Sequence, residues 1–218
     1  MDCRKSPGAD RPQESGERKM LDLETEEYYE RHAEAFAART RGLDMQPLQQ
    51  RFLHYIPAGG RILDAGCGSG RDARCFQEAG FRVCAIDASG AMCRQARLQS
   101  GTFACRRTFD EVCGPDLYDG IWASASLLHV PRQALPAVLR RFHWALKEGG
   151  ILYLSLKKGS GEQRRQGRLF ADYTLKEAAD MLSEGGLFSV LEAFETQDVR
   201  AAEQQRPWVN LIARAGSG

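Results

Sequence analysis

An α/β fold built on a mostly parallel sheet is predicted for this chain of 218 residues by three observations. Between residues 61 and 156, apolar runs of strand length alternate with amphipathic helical stretches, the rhythm of βαβ units. The first run, Ile62-Leu63, ends in Asp64 and passes into glycines at alternate positions, Gly66, Gly68 and Gly70, before a helical pattern opens at Arg71. The last two runs, Phe188 to Phe194 and Trp208 to Arg214, have no helix between them. They cannot form a parallel crossover and should pair as a hairpin.

Length fits one α/β domain with extensions. Thirty basic residues against 29 acidic ones leave a formal charge of +1, which argues against a dedicated nucleic-acid binder. The apolar runs are too short to span a membrane, and no leader segment is visible, so a cytoplasmic protein is expected. Seven cysteines, Cys3, Cys67, Cys75, Cys84, Cys93, Cys105 and Cys113, include no C-x-x-C, and no histidine pair sits at zinc spacing. They read as small core hydrophobes in a reducing compartment, in preference to the thiol set of an arsenic-methylating enzyme, and no metal is expected.

Residues 1–19 are polar, with Pro7, Gly8, Pro12 and Gly16, and read as a disordered tail; Met20 is a second candidate start. Residues 20–58 carry two helices. Glu24 to Arg39 aligns Tyr29, Ala33 and Phe36, and Pro47 to Ile56 aligns Leu48 and Phe52 before Pro57-Ala58-Gly59-Gly60 stops it. Residues 59–215 form the domain proper. After the glycine turn, the pattern predicts helix Arg71–Ala79, strand Phe81–Ile86, a helix capped by Ser89, and strands Thr102–Arg106 and Tyr118–Ala123. Helix Gln133–Leu146 follows, then a turn at Lys147–Gly150 and strand Ile151–Leu156. Lys157 to Arg168 reads as a polar loop, and Thr174 with Glu177 as a capping box opening the last helix.

The chemistry centres on the glycine turn. A dinucleotide site uses G-x-G-x-x-G, whose third glycine packs helix on strand. Here the spacing is G-x-G-x-G, and Arg71 stands in the third glycine's place. Asp64 before the turn disfavours a pyrophosphate and favours a ligand with positive charge. Asp87 ends the second strand about 20 positions past the turn, where an acidic residue accepts hydrogen bonds from ribose hydroxyls.

LDAGCGSG, Asp87, YDGIWASASLLHVP and LKEGG stand in order, and over roughly Tyr28 to Ala213 the chain resembles the class I S-adenosylmethionine-dependent methyltransferases of the small-molecule type. The resemblance implies a Rossmann-like three-layer α/β/α sandwich, with a seven-stranded, mostly parallel sheet and an antiparallel last strand. It implies S-adenosylmethionine as cofactor, held by Asp64, Ala65, Gly66, Cys67, Gly68, Gly70, Asp87, Ala88, Ser89, Met92, Ala123 and Ser124. Near the end of the third strand the family places an acid. Here Thr108 and Phe109 stand in that region, with Asp110 next, so either Asp110 is the equivalent or the backbone at Thr108 and Phe109 does the work. The N-terminal helices should cover the cofactor, with Tyr28, Tyr29 and Arg39 as lid residues. His129 is the candidate base. Tyr28, Tyr29, His129, Lys157 and Arg168 are the candidate acceptor-binding residues, the last two in a loop suited to an anionic or polar molecule. The expected partner is a small molecule, with no nucleic acid and no membrane. Methylation of a tRNA or protein, or a binding module without catalysis, stays open; a nicotinamide-dependent oxidoreductase is disfavoured by the missing third glycine and by Asp64.

Overall fold

A computed structural model of the chain describes residues 22–198 and 206–217; the expected tail and Met20 lie outside them. In chain order the elements are α1 (Leu23–Thr40), α2 (Gln46–Leu53), β1 (Arg61–Ala65), α3 (Arg71–Glu78), β2 (Arg82–Asp87), α4 (Gly90–Ser100), β3 (Ala104–Arg106) and β4 (Tyr118–Ala123). Then come α5 (Leu135–Ala145), β5 (Leu146–Lys157), β6 (Glu162–Arg165), β7 (Arg168–Ala171), α6 (Leu175–Ser183), β8 (Phe188–Thr196) and β9 (Trp208–Ala215).

The large sheet runs β3-β2-β1-β4-β5-β9-β8. Strands β1 to β5 pair in parallel, and β9 runs antiparallel between β5 and β8, so the expected terminal hairpin and seven-stranded sheet are present. Alternation along the strands makes the three layers. Leu63, Ile121, Leu152 and Leu154 face the core beneath α5 and α6. Their neighbours Ile62, Trp122, Ile151 and Tyr153 face the opposite core, where α2 and α3 bring Phe52 and Phe76. The helix starts follow their caps. Asp22 accepts from the Thr25 N–H, Ser89 accepts from that of Met92, and Thr174 with Glu177 forms the predicted box.

Two stretches differ from the sequence reading. Lys147–Gly150 is no separate turn: β5 already pairs at Leu146 with Tyr118, then resumes at Ile151 opposite Gly120, so the extra residues bulge within one strand. Nor is Lys157 to Arg168 one loop. Lys157 is the last residue of β5, and β6 and β7 form a hairpin closed at Gln166-Gly167. Both turn residues have positive φ, +51° and +73°, the type I′ geometry that matches strand twist. Glutamine is an unusual first residue for that turn, which is why the composition read as a loop.

Phe52 is fully buried and meets the rings of Phe76, Trp122 and Tyr153, filling the space over Gly120. Phe52→Ala should therefore cost about 3–5 kcal/mol in urea unfolding, through lost transfer energy and the cavity left behind. A loss below about 1 kcal/mol would show that α2 is not packed on the sheet.

Candidate functional site

At the carboxyl end of β1 the chain turns so sharply that two consecutive N–H groups, of Gly66 and Cys67, donate to one carbonyl, Ile86 O, both at 2.9 Å. Gly66 has φ +83°, and a Cβ there would stand 2.4 Å from Cβ of Ser126, so no side chain fits. Gly68 has φ +54°, but a Cβ there would meet only Met92 Cε, at 3.5 Å; the turn leaves space above itself.

Asp87 ties this turn to the next one. Its Oδ2 accepts from Gly68 N and its Oδ1 from Ser89 N, both at 2.9 Å. Burial raises its pKa to about 6 despite those two bonds. Capping of α4 falls to Ser89, so Asp87 is not a cap. Met92 and the Thr108-Phe109 turn complete this end of the cavity, and Asp110 is exposed and does not line it.

Across the cavity stands α1, with Tyr29 and Phe36. After β4 the chain passes Ser124 and Ala125, then makes a short 3-10 turn that brings His129 under Tyr29. His129 Nδ1 lies 2.6 Å from Leu169 O and Nε2 lies 2.9 Å from the Tyr29 hydroxyl oxygen. A carbonyl can only accept, so Nδ1 carries the proton, and the Tyr29 O–H donates to Nε2. Burial first, and the Arg168 charge in addition, lower the His129 pKa to about 4. Both ring nitrogens are thus engaged within the fold, Nδ1 by Leu169 and Nε2 by Tyr29.

The cavity has a volume of about 1330 Å³. Of the expected residues, Gly66, Cys67, Gly68, Asp87, Ala88, Ser89, Met92, Thr108, Phe109, Ser124, Tyr29, His129, Lys157 and Arg168 line it. Asp64, Ala65, Gly70, Ala123 and Tyr28 do not line it. Asp64 is 2% exposed, and burial, followed by the neighbouring Asp72, pushes its carboxyl well above the usual range. It does not line the cavity. Lys157 reaches the cavity already paired. Its ammonium lies 2.5 Å from Asp198 Oδ2 and donates to Arg206 O at 2.8 Å.

Sequence reasoning missed several lining residues. Tyr153 and Ser155 share the cavity-facing side of β5 with Lys157, and Trp208 with Asn210 does the same on β9. Their spacing of two was the available signal. Arg71 also lines the site, forked onto Asp72 through Nε at 2.8 Å and Nη2 at 2.9 Å. Among the described residues no group of three or more His, Cys, Asp or Glu is disposed to hold a metal ion, and no helix is long and apolar enough to cross a membrane.

A family model described as a methyltransferase domain matches residues 36–195. A ubiquinone biosynthesis O-methyltransferase of Xanthomonas axonopodis pv. citri is 33% identical over 106 residues, 45% of this chain and 44% of that protein, so the chain spans less than half of that relative. Solved structures share the fold at lower identity. The 1,6-didemethyltoxoflavin-N1-methyltransferase of Burkholderia thailandensis, with bound 1,6-didemethyltoxoflavin and S-adenosylhomocysteine, superposes with a TM-score of 0.68 at 21% identity, over 96% of this chain and 94% of that one. The [4+2]-cyclase SpnF gives 0.69 at 17% identity, over 88% and 96%.

The histidine geometry yields a direct test. Asp22 and Tyr29 of α1 and Arg168 of β7 face the imidazole, and the unfolded chain binds its proton near pH 6.5 while the folded one waits until about 4. Stability carried by the neutral ring is therefore lost as pH falls through that window. In nitrogen-15 NMR, His129 should show Nδ1 protonated and Nε2 bare, without titrating from about pH 8 to about pH 5. A signal titrating near the ordinary histidine value would contradict this arrangement.

Proposed function

This chain belongs to the methyltransferase domain family, the class I S-adenosylmethionine-dependent methyltransferases with a single Rossmann-like domain, and we propose that it transfers a methyl group from S-adenosylmethionine to a small-molecule acceptor. The observation that carries the reading is Asp87 at the end of β2, gripping the glycine turn while lining the cavity. Its oxygens have lone pairs beyond those taken by Gly68 and Ser89, suited to a ribose diol. Gly66 and Gly68 leave backbone open to close approach. Ala88, Ser89, Met92, Thr108 and Phe109 form a mixed apolar and hydrogen-bonding slot for a purine, without help from Asp110.

Single drug-sized ligands occupy pockets of ~300–1,000 Å³, so 1330 Å³ leaves room for an acceptor beside the cofactor. The cofactor supplies a methyl on a sulfonium, already a good electrophile. What the protein adds is orientation, worth ~7–11 kcal/mol when two reactants are held in line. Tyr29, His129 and Arg168 surround the acceptor half, with His129 acting through Tyr29, whose hydroxyl hydrogen it fixes. Lys157, neutralised by Asp198, shapes that half without contributing a free charge. Cover from α1 and from the β6–β7 hairpin favours a small acceptor over a tRNA or a protein. Scattered cysteines and the lack of basic excess fit a cytosolic enzyme that needs neither membrane nor nucleic acid.

Calorimetry tests the reading. S-adenosylmethionine and S-adenosylhomocysteine should each bind at one site per chain. An ionised Asp87 is the better acceptor, so affinity should fall as pH drops through about 6. Asp87→Ala should weaken binding about ten- to a hundredfold by removing charge-assisted bonds. No heat with either ligand on folded protein would end the proposal.

A further inference from the structure

Four cationic side chains of the acceptor half, Lys157, Arg165, Arg168 and Arg206, are not equally compensated. Lys157 is matched by Asp198. Arg165 and Arg206 share one carboxylate, that of the fully buried Asp172, at 2.8 and 2.5 Å. Arg168 has no acidic partner among the described residues. Its Nη2 donates to the amide oxygen of Gln166 at 3.1 Å, and its Nε is shut off from solvent with no acceptor at all. A buried N–H of a charged group left without an acceptor is costly, and native proteins keep few of them. The guanidinium is held in place by aromatic rings: Tyr28 at 4.3 Å, Phe170 at 5.1 Å and Tyr29 at 6.0 Å from its carbon. Those rings fix its plane, and Tyr29 also shares a side-chain hydrogen bond with Arg168, while Nε keeps no acceptor.

We propose that the acceptor is a small organic acid, bound through its carboxylate to the Arg168 guanidinium between the β6–β7 hairpin and α1. The inference rests on the methyltransferase reading and adds the acceptor's chemical class. Arg165, with only half of a carboxylate to itself, adds to the positive potential at the same end. The planar fork of an arginine matches a carboxylate through two parallel hydrogen bonds, and an ammonium cannot. A neutral or cationic acceptor would leave the Arg168 charge uncompensated. Phe170 and Tyr29, both near the guanidinium, offer apolar surface to the body of the acid.

The test uses the full chain saturated with S-adenosylhomocysteine, and benzoate as the probe, with benzamide as its uncharged isostere. Nitrogen-15 NMR should show the Arg168 Nε–H signal shifting on addition of benzoate and staying still with benzamide. Benzoate affinity should fall about tenfold or more in Arg168→Met and recover only in part in Arg168→Lys, with cofactor affinity unchanged in both. Equal responses to benzoate and benzamide, or no response to benzoate at millimolar concentration, would overturn the proposal. So would an Arg168→Met variant that keeps benzoate but loses S-adenosylhomocysteine, since the arginine would then serve the cofactor's own carboxylate. The NMR arm uses wild-type protein and does not depend on how the variants fold. Failure of S-adenosylhomocysteine to bind wild type would count against methyl transfer itself and is read separately, before benzoate is added.

Discussion

One buried carboxylate joins the elements on which the cavity depends. Asp72, at the first turn of α3, is 6% exposed. It accepts from both nitrogens of the Arg71 fork, from Gln49 Nε2 on α2 at 2.8 Å and from Trp122 Nε1 on β4 at 3.0 Å. Arg71 reaches on with Nη1 to Thr40 O, at the end of α1, at 3.1 Å. Trp122, held by that bond, stacks on Tyr153 at 3.9 Å. Removing Arg71 would leave a buried charge unpaired, which typically costs ~3–5 kcal/mol. The place where a dinucleotide-binding turn would have its third glycine is therefore occupied by an arginine that joins α1 to Asp72, and Asp72 in turn holds α2 and the sheet.

The cover over the cavity is polar where it meets the body. Glu30 on α1 accepts from Ser89 Oγ at 2.7 Å and from Ala91 N at 2.9 Å, so it reinforces the start of α4 beside Asp87. At its other edge, α1 meets the hairpin. The Thr25 hydroxyl accepts from Leu169 N at 2.9 Å, and Asp22 pairs with Arg164. The residue whose carbonyl fixes the His129 tautomer, Leu169, is thus the one whose N–H is held by α1. Cover, hairpin and histidine form one unit, and the orientation of Tyr29 follows from all three.

Much of the fold was legible because it rests on local rules. Alternation of apolar runs and helical stripes marked the parallel strands, and two strands without a helix between them marked the antiparallel pair. Asp87 was legible by its distance from the glycine turn, and Ser89 by cap chemistry. What could not be read was depth. Asp64 looks like a ligand carboxylate beside the glycines, yet β1 is the strand between β2 and β4 and buries it. Lys157 looks like a loop cation until β5 extends to include it and Asp198, 41 residues away, neutralises it. The β6–β7 hairpin was hidden by its charged, glycine-rich composition and by a glutamine in left-handed geometry. His129 was singled out correctly as a cavity residue, but its hydrogen-bond partners come from 100 residues before it and 40 after it, beyond any motif.

Those same separations bear on how the protein is made. The bonds that seat α1 join Asp22 to Arg164 and Thr25 to Leu169, 142 and 144 residues apart. A ribosome adds ~5–20 residues per second, so this edge of the first helix waits on the order of ten seconds before the hairpin it bonds exists. Throughout that wait, β1, α3 and β2 can assemble around the glycine turn, and Glu30 of α1 can already reach Ser89 and Ala91 beside Asp87. The acceptor half comes last, when the hairpin emerges and the start of the chain folds back onto it. A nascent chain stalled before residue 160 would thus carry the glycine turn and Asp87 but no acceptor chamber.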